Sequence, residues 1–235
     1  MRIINASWER RNFDMDAYEI QIDKEDLLEF ETVLEKIHKQ NFKNAYVVIK
    51  LPVGNLKALH ALEDEGFRFL ETQLHFKEHF KAKNSKPRIK GKLSKERLEK
   101  DKEAWEGVIS KISPGMFDSD RVSLDPALSQ EIACKRYQNW CRDLFYDKHT
   151  YMMLGKLDDE VYGFCLCKED EQGINALLVG VFPKFKHLKL GQYLLDDLRG
   201  TRLTTTSSNN PAAFKVYQKS GLIVQEQNYV LRKIY

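Results

Sequence analysis

The sequence predicts a mixed α/β protein in two unequal parts. A small αβ unit spans residues 1–80, and a larger unit with a mostly antiparallel sheet spans residues 103–235. Three observations predict this. Short Val-, Ile- and Leu-rich runs alternate with segments of helical apolar spacing along the chain, so neither period dominates. The stretch 81–102 interrupts them with ten Lys or Arg against three acids, together with Pro87 and Gly91, the composition of a basic linker between folded units. Apolar residues make up 42% of 235 positions, enough for a substantial core.

In the first unit, Leu27, Leu28, Phe30, Val33, Leu34 and Ile37 form a helical stripe, with Asp23 placed to cap it. The run from Ala45 to Leu51 is a strand closed by Pro52 and Gly54. Leu56, Leu59, Ala61 and Leu62 begin a second helix that stops at Gly66, and Leu70 to Phe76 alternates as a strand. The ending helix, Glu65-Gly66-Phe67, strand is echoed at the end of the chain by helix, Ser220-Gly221-Leu222, strand. An internal repeat explains the echo; two unrelated helices ending on glycine explain it equally well.

The second unit begins near Trp105. Residues 115–121 form a loop, and Asp125-Pro126 opens a helix with proline in its first turn. Leu128, Ile132, Tyr137, Trp140, Cys141 and Leu144 mark the apolar face of that helix. Strands follow at Tyr151–Leu157, Val161–Lys168 and Ile174–Phe182. The turns Asp158-Asp159 and Glu171-Gln172-Gly173 make them two consecutive antiparallel hairpins. A helix ending at Gly200, a β-branched strand over 201–206, a helix from Asn210 to Ser220 and a strand from Leu222 to Ile234 complete the order.

A formal net charge of +3 favours no class of partner. The basic stretch 81–102 lacks the interleaved aromatics that stack on bases, so nucleic acid is a secondary reading. No run of about 18 apolar residues occurs and the first residues lack an apolar core, so a soluble, cytoplasmic protein without a membrane partner is expected. The four cysteines form no C-x-x-C pair and have no histidine close in sequence, which predicts core thiols and no metal.

Residues 175–200 concentrate the chemistry. An apolar strand ends at Pro183, a loop with Lys184, Lys186, His187 and Lys189 follows, and a helix starts after it. Strand, basic loop and helix N-terminus together suit an anionic, phosphate-bearing ligand. This segment resembles motif A of the GNAT-type acyl-CoA N-acyltransferase superfamily, V-x-P followed by Q/R-x-x-G-x-G/A. Residues 209–222 resemble its motif B, N-x-x-A-x-x-x-Y-x-x-x-G-F/L, and the element order of residues 103–235 is similar to a GNAT domain. The resemblance implies that acetyl-CoA is the acyl donor. It implies that Lys186, His187, Leu188, Lys189, Leu190, Gly191 and Gln192 wrap its pyrophosphate, with Lys186 and Lys189 departing from the usual Gln/Arg and Gly. It further implies that the strand through Val179 and Val181 splays from the 201–206 strand to admit the pantetheine arm, with Gly180 marking the bulge that starts the opening. Asn210 is then a cofactor contact, and Tyr217 the acid that protonates the departing sulfur. The acidic residue usual on the splayed strand is missing, because Asn175, Leu177 and Val179 stand there.

The two-unit layout is also similar to that of dTDP-fucosamine acetyltransferases, on the N-terminal unit, Asp120 to Pro126, and Tyr137-x-x-Trp140. That resemblance implies a small-molecule amine acceptor, a nucleotide-linked amino sugar, with Arg121 meeting substrate. Alternatives are a peptide or protein amine acceptor and a non-catalytic acyl-CoA-binding protein. A homodimer is left open.

Overall fold

The computed structural model describes residues 1–80, 87, 89–171, 173–196, 198 and 201–235. In chain order the elements are β1 (Arg2–Asn5), α1 (Arg10–Phe13), β2 (Asp16–Gln21), α2 (Phe30–His38), β3 (Ala45–Pro52), α3 (Leu56–Asp64) and β4 (Arg68–Glu78). They continue with β5 (Leu93–Leu98), α4 (Lys102–Ile109), α5 (Arg121–Leu124), α6 (Gln130–Leu144), β6 (Thr150–Leu157), β7 (Glu160–Asp170) and β8 (Gly173–Val181). The last are α7 (Gly191–Leu195), β9 (Arg202–Ser207), α8 (Pro211–Lys219) and β10 (Leu222–Ile234). The ten strands among the described residues belong to one sheet, ordered β1-β2-β3-β10-β4-β9-β8-β7-β6-β5. Pairings are antiparallel except β2–β3 and β8–β9, whose connections carry helices.

The inner six strands, β2-β3-β10-β4-β9-β8, are arranged symmetrically about the β10–β4 centre, which resolves the echo in the sequence. β2-α2-β3-α3-β4 and β8-α7-β9-α8-β10 follow the same path, and each half places its last strand inside the other: β10 lies between β3 and β4, and β4 between β10 and β9. The α3 and α8 turns agree residue by residue. Asn55 Oδ1 accepts from Ala58 N at 3.0 Å and Asn210 Oδ1 from Ala213 N at 2.9 Å. Eleven residues after each asparagine comes a glycine with positive φ, Gly66 at +88° and Gly221 at +84°, a backbone that glycine adopts without Cβ strain. Where α8 carries Tyr217, α3 carries the buried Leu62.

Strand alternation sends Val47, Ile49 and Leu51 to the face covered by α2 and α3, and Tyr46 and Val48 to the face where Val122 and Ala133 of α5 and α6 pack. Leu74 and Phe76 of β4 join the large cluster on the α8 side, where Phe76 meets Phe214 and Tyr217. Cys141, Cys165 and Cys167 are buried free thiols, and Cys134 is partly buried. Among the described residues no helix is long and apolar enough to cross a membrane. No group of three His, Cys, Asp or Glu among them is placed to hold a metal ion.

Three local expectations are corrected. The basic stretch 81–102 is more than a linker: it contains β5, an edge strand paired with β6. Two of its cations stack their charged ends on rings, Lys95 on Tyr193 and Arg97 on Tyr151, along a charged edge. Residues 81–86 and 88 lie outside the described residues. Asp125-Pro126 does not open a helix; α6 starts at Gln130, where Ser129 Oγ accepts from Ile132 N. Asp125 instead turns inward to Arg232 and Tyr46. At the N-terminal side, Asp23 caps nothing and gives its backbone N–H to Asp26, while α2 begins only at Phe30.

Candidate active site

β8 and β9 are parallel and paired only at Ile174↔Arg202, Asn175↔Leu203 and Ala176↔Thr204. Both strands continue, to Val181 and Ser207, without pairing to each other. Their facing backbone groups therefore line an opening in the middle of the sheet. In the other half, the equivalent β2 and β3 stay paired through six positions from Asp16↔Ala45 to Gln21↔Lys50, so that copy is closed. The opening starts at a bulge: Leu178 pairs with Leu166 and Ala176 with Cys167, leaving Leu177 as the extra residue. The bulge is thus at Leu177 and not at Gly180. Gly180 has a different use, because a Cβ there would lie 2.7 Å from Met116 Cε, 2.9 Å from Phe164 Cε1 and 3.1 Å from Phe117 Cζ. Its missing side chain lets the loop before α5 close over β8.

Tyr217 stands at the point where the strands part. It lies beside Thr204, whose Oγ1 donates to Ala176 O at 2.8 Å, so the phenol adjoins the last paired residues of β8 and β9. The ring is held edge-on by Phe76, with centroids 5.2 Å apart. Burial raises its pKa, partly offset by Thr204, which keeps the phenol protonated at neutral pH. Asn210, expected as a cofactor contact, has its Oδ1 engaged in capping α8.

The motif A loop forms a 3-10 turn over Pro183–Leu188 and then α7, which is only Gly191–Leu195. The helix expected to run on to Gly200 stops early; Leu198 is buried outside it, and Gly200 lies outside the described residues. Lys189, where the motif has glycine, adopts φ +56° and ψ +37°. The left-handed turn that glycine would provide is therefore kept, at a cost of roughly 1–2 kcal/mol for a residue with a Cβ. Lys186, His187 and Lys189 are exposed, Leu188 and Gln192 partly buried, and Leu190 fully buried. Lys186 Nζ donates to Gly115 O at 3.2 Å, while Lys184 is paired with Glu160. A Cβ on Gly191 would find only Val181 Cγ2, at 3.9 Å. The protein's own packing does not need that glycine, and the open space beside it suits a phosphate approaching the backbone, flanked by exposed cations. Val179 and Val181 are partly buried along the adjoining β8 edge.

On the opposite face from Tyr217, strands from both halves form a polar floor. Glu71 of β4 is 2% exposed, its carboxyl takes hydrogen bonds from Ser207 and the Arg121 backbone, and its Oε2 has no protein donor. Burial raises its pKa, opposed by the Arg121 charge. Arg121 is partly buried, and Glu71, Glu19, Tyr46 and Asp120 all favour its charged form. Lys50 pairs with Glu19 at 2.9 Å. His75 of β4 sits opposite Thr205 of β9, with Nδ1 3.4 Å from Thr205 Oγ1 and Nε2 3.2 Å from Asn228 Nδ2. None of this floor except Arg121 was expected from sequence as site material. The signal was the repeat, which places the first unit's last strand beside β9.

The sequence matches no protein-family model and no curated protein. Solved structures do match. A GCN5-related N-acetyltransferase from Sphaerobacter thermophilus aligns with a TM-score of 0.56 at 13% identity, over 99% of this chain and 75% of that one. A GCN5-related N-acetyltransferase from Kribbella flavida gives 0.52 at 11% identity, over 93% and 81%. An acetyltransferase from the GNAT family of Colwellia psychrerythraea gives 0.51 at 14% identity, over 90% and 75%. The fold is that of the GCN5-related N-acetyltransferases. The likeness covers both halves of the chain, whereas the GNAT motifs and element order read from sequence lay within residues 103–235. At these identities the likeness establishes the fold.

Proposed function

We propose that this protein transfers an acyl group, in the first instance acetyl, from acyl-coenzyme A to a primary amine. The observation that carries the reading is the opening between β8 and β9 with Tyr217 at its apex, set against the closed copy in the other half, where Leu62 stands at the Tyr217 position. The unpaired strand edges offer N–H and C=O groups to the amide-containing arm of the donor, and a fixed N–H aimed at the thioester oxygen stabilises the charge that develops there. The Lys186–Gly191 turn and α7 take the pyrophosphate. Tyr217, buried and protonated, gives its proton to sulfur as the C–S bond breaks. The kept left-handed turn at Lys189 removes the main reason to regard the loop as a lost cofactor site.

The acceptor reaches the thioester from the polar floor. Within this reading the narrower acceptor is an amino sugar, whose amine is less basic than a lysine's and so is neutral in a larger fraction near pH 7. Arg121, set among carboxylates, belongs to the wall of that floor. Calorimetric titration with acetyl-CoA tests the proposal: the wild type binds, Gly191→Glu does not, and Tyr217→Phe binds but transfers about 10²-fold more slowly. Failure of the folded wild type to bind acetyl-CoA refutes the activity, and unchanged turnover in Tyr217→Phe removes the assigned acid.

A further inference from the structure

We infer that His75, carried into the C-terminal half on β4, is the base that takes the proton from the attacking amine, with the Thr205 hydroxyl as bridge. This rests on the acyl-transfer reading above and supplies the base that the splayed strand lacks.

Placement is the first ground. Phe76 and His75 are neighbours on β4 and point to opposite faces. Phe76 packs on the Tyr217 ring on the helix side, so His75 emerges on the other side of the sheet at the same level. Its cross-strand partner is Thr205, the residue after Thr204, where β8 and β9 part. His75 thus lies one strand spacing, about 4.8 Å, from the strand that borders the opening. Thr205 is exposed and His75 partly so, which leaves both reachable by a substrate.

The surroundings are the second ground. Asn228 on β10 holds Nε2 at 3.2 Å and Thr205 faces Nδ1 at 3.4 Å, so the ring is fixed at both nitrogens. For Nδ1 to accept a proton, Nε2 must carry one. Asn228 accepts it once its amide makes the half-turn that exchanges O and N. Burial and the Lys50 charge lower the pKa of His75 while Glu226 opposes them, leaving a neutral imidazole near pH 7. Glu71 is the rival group on this face, but at 2% exposure beside the Arg121 charge it is out of an acceptor's reach, whereas Thr205 is exposed.

The step balances within these residues. The amine lone pair forms the C–N bond at the thioester carbonyl. The nitrogen gives a proton to Thr205 as Thr205 passes its own to His75 Nδ1. The C–S bond breaks, and sulfur takes the Tyr217 proton. Imidazolium and phenolate return to neutral by exchange with solvent, and the products are an amide and a thiol.

The test uses the intact protein, acetyl-CoA and a panel of primary amines from amino sugars to amino acids. Histidine Cε1–H resonances are followed by NMR, that of His75 being assigned by its loss in His75→Gln. Saturating acetyl-CoA moves the His75 resonance and leaves those of His38 and His60 in place. His75→Gln and His75→Ala bind acetyl-CoA within about twofold of wild type by calorimetry yet lose about 10²-fold in transfer at pH 7. The acid limb of the pH–rate profile disappears in His75→Gln, and added imidazole restores part of the rate in His75→Ala. A His75 resonance unmoved by bound acetyl-CoA, or a His75→Gln variant with the wild-type rate and pH profile, overturns the inference while leaving the acyl-transfer reading intact. A wild type that binds no acetyl-CoA overturns both.

Discussion

Replacing Asp125 by alanine tests how the two halves are locked together. Its carboxylate, 1% exposed, takes two hydrogen bonds from Arg232, Nε at 2.8 Å and Nη2 at 2.9 Å. It accepts a third from the Tyr46 hydroxyl at 2.7 Å and a fourth from Ala127 N at 2.9 Å. The network ties the α5–α6 connection to β10 and β3. Truncation leaves a guanidinium and a buried phenol facing a void, and breaking a buried pair from one side costs about 3–5 kcal/mol. Against a total of roughly 5–15 kcal/mol this is a large fraction. With an m-value near 2 kcal/mol/M, the urea midpoint should fall by about 2 M. Equilibrium urea unfolding followed by circular dichroism measures it, and Asp125→Leu combined with Arg232→Met should recover much of the loss. The pH dependence has a definite sign. Burial alone pushes the Asp125 carboxyl up, but its bonds from Arg232, Ala127 and Tyr46 outweigh that and hold its pKa below the ordinary value. The stabilisation is therefore present above the unfolded pKa of about 3.9 and is lost as pH falls through the lower folded value. Wild type should weaken steeply in that acid window and Asp125→Ala less so. A loss below about 1 kcal/mol, or parallel acid profiles, would refute the assignment of this network as a buried lock.

Two further substitutions probe the opening itself. Gly180→Ala forces a methyl against Met116, Phe164 and Phe117 and should cost about 1–3 kcal/mol in thermal unfolding; it should raise the KM for amine more than that for acyl donor, because the displaced loop lies on the acceptor side. Lys189→Gly relieves left-handed strain but loosens the unfolded chain by about 0.4–1 kcal/mol, so melting should change little while acetyl-CoA affinity falls with the lost charge; destabilisation beyond about 1 kcal/mol contradicts the reading of the turn.

What could be read from sequence was what is local. The helix read over Asn210–Ser220 is found as α8, with Asn210 serving as its cap, and the two hairpins β6–β7–β8 were evident from alternation and turn residues. What escaped was what distant partners decide. Asp125-Pro126 has the local marks of a helix start, yet Arg232 and Tyr46, far away in sequence, draw the carboxylate inward. β5 was hidden because Lys95 and Arg97 look like solvated charge until Tyr193 and Tyr151 appear beneath them. Gly180 suggested a bulge by residue type, whereas the register puts the extra residue at Leu177, which no composition rule marks. A base was sought on the splayed strand, while the imidazole of His75 arrives on a strand encoded 130 residues earlier than its neighbour Thr205.

The reciprocal exchange of β4 and β10 also dictates how such a molecule must be made. During synthesis β3 and β4 leave the ribosome with no strand to join them, and every strand but β10 is finished before the centre of the sheet can close. Contacts between the first and last thirds of the chain then form together, which makes for high contact order and slow, late consolidation. Until that moment the facing edges of β3 and β4 stand open, the kind of surface on which chaperones act and aggregates start.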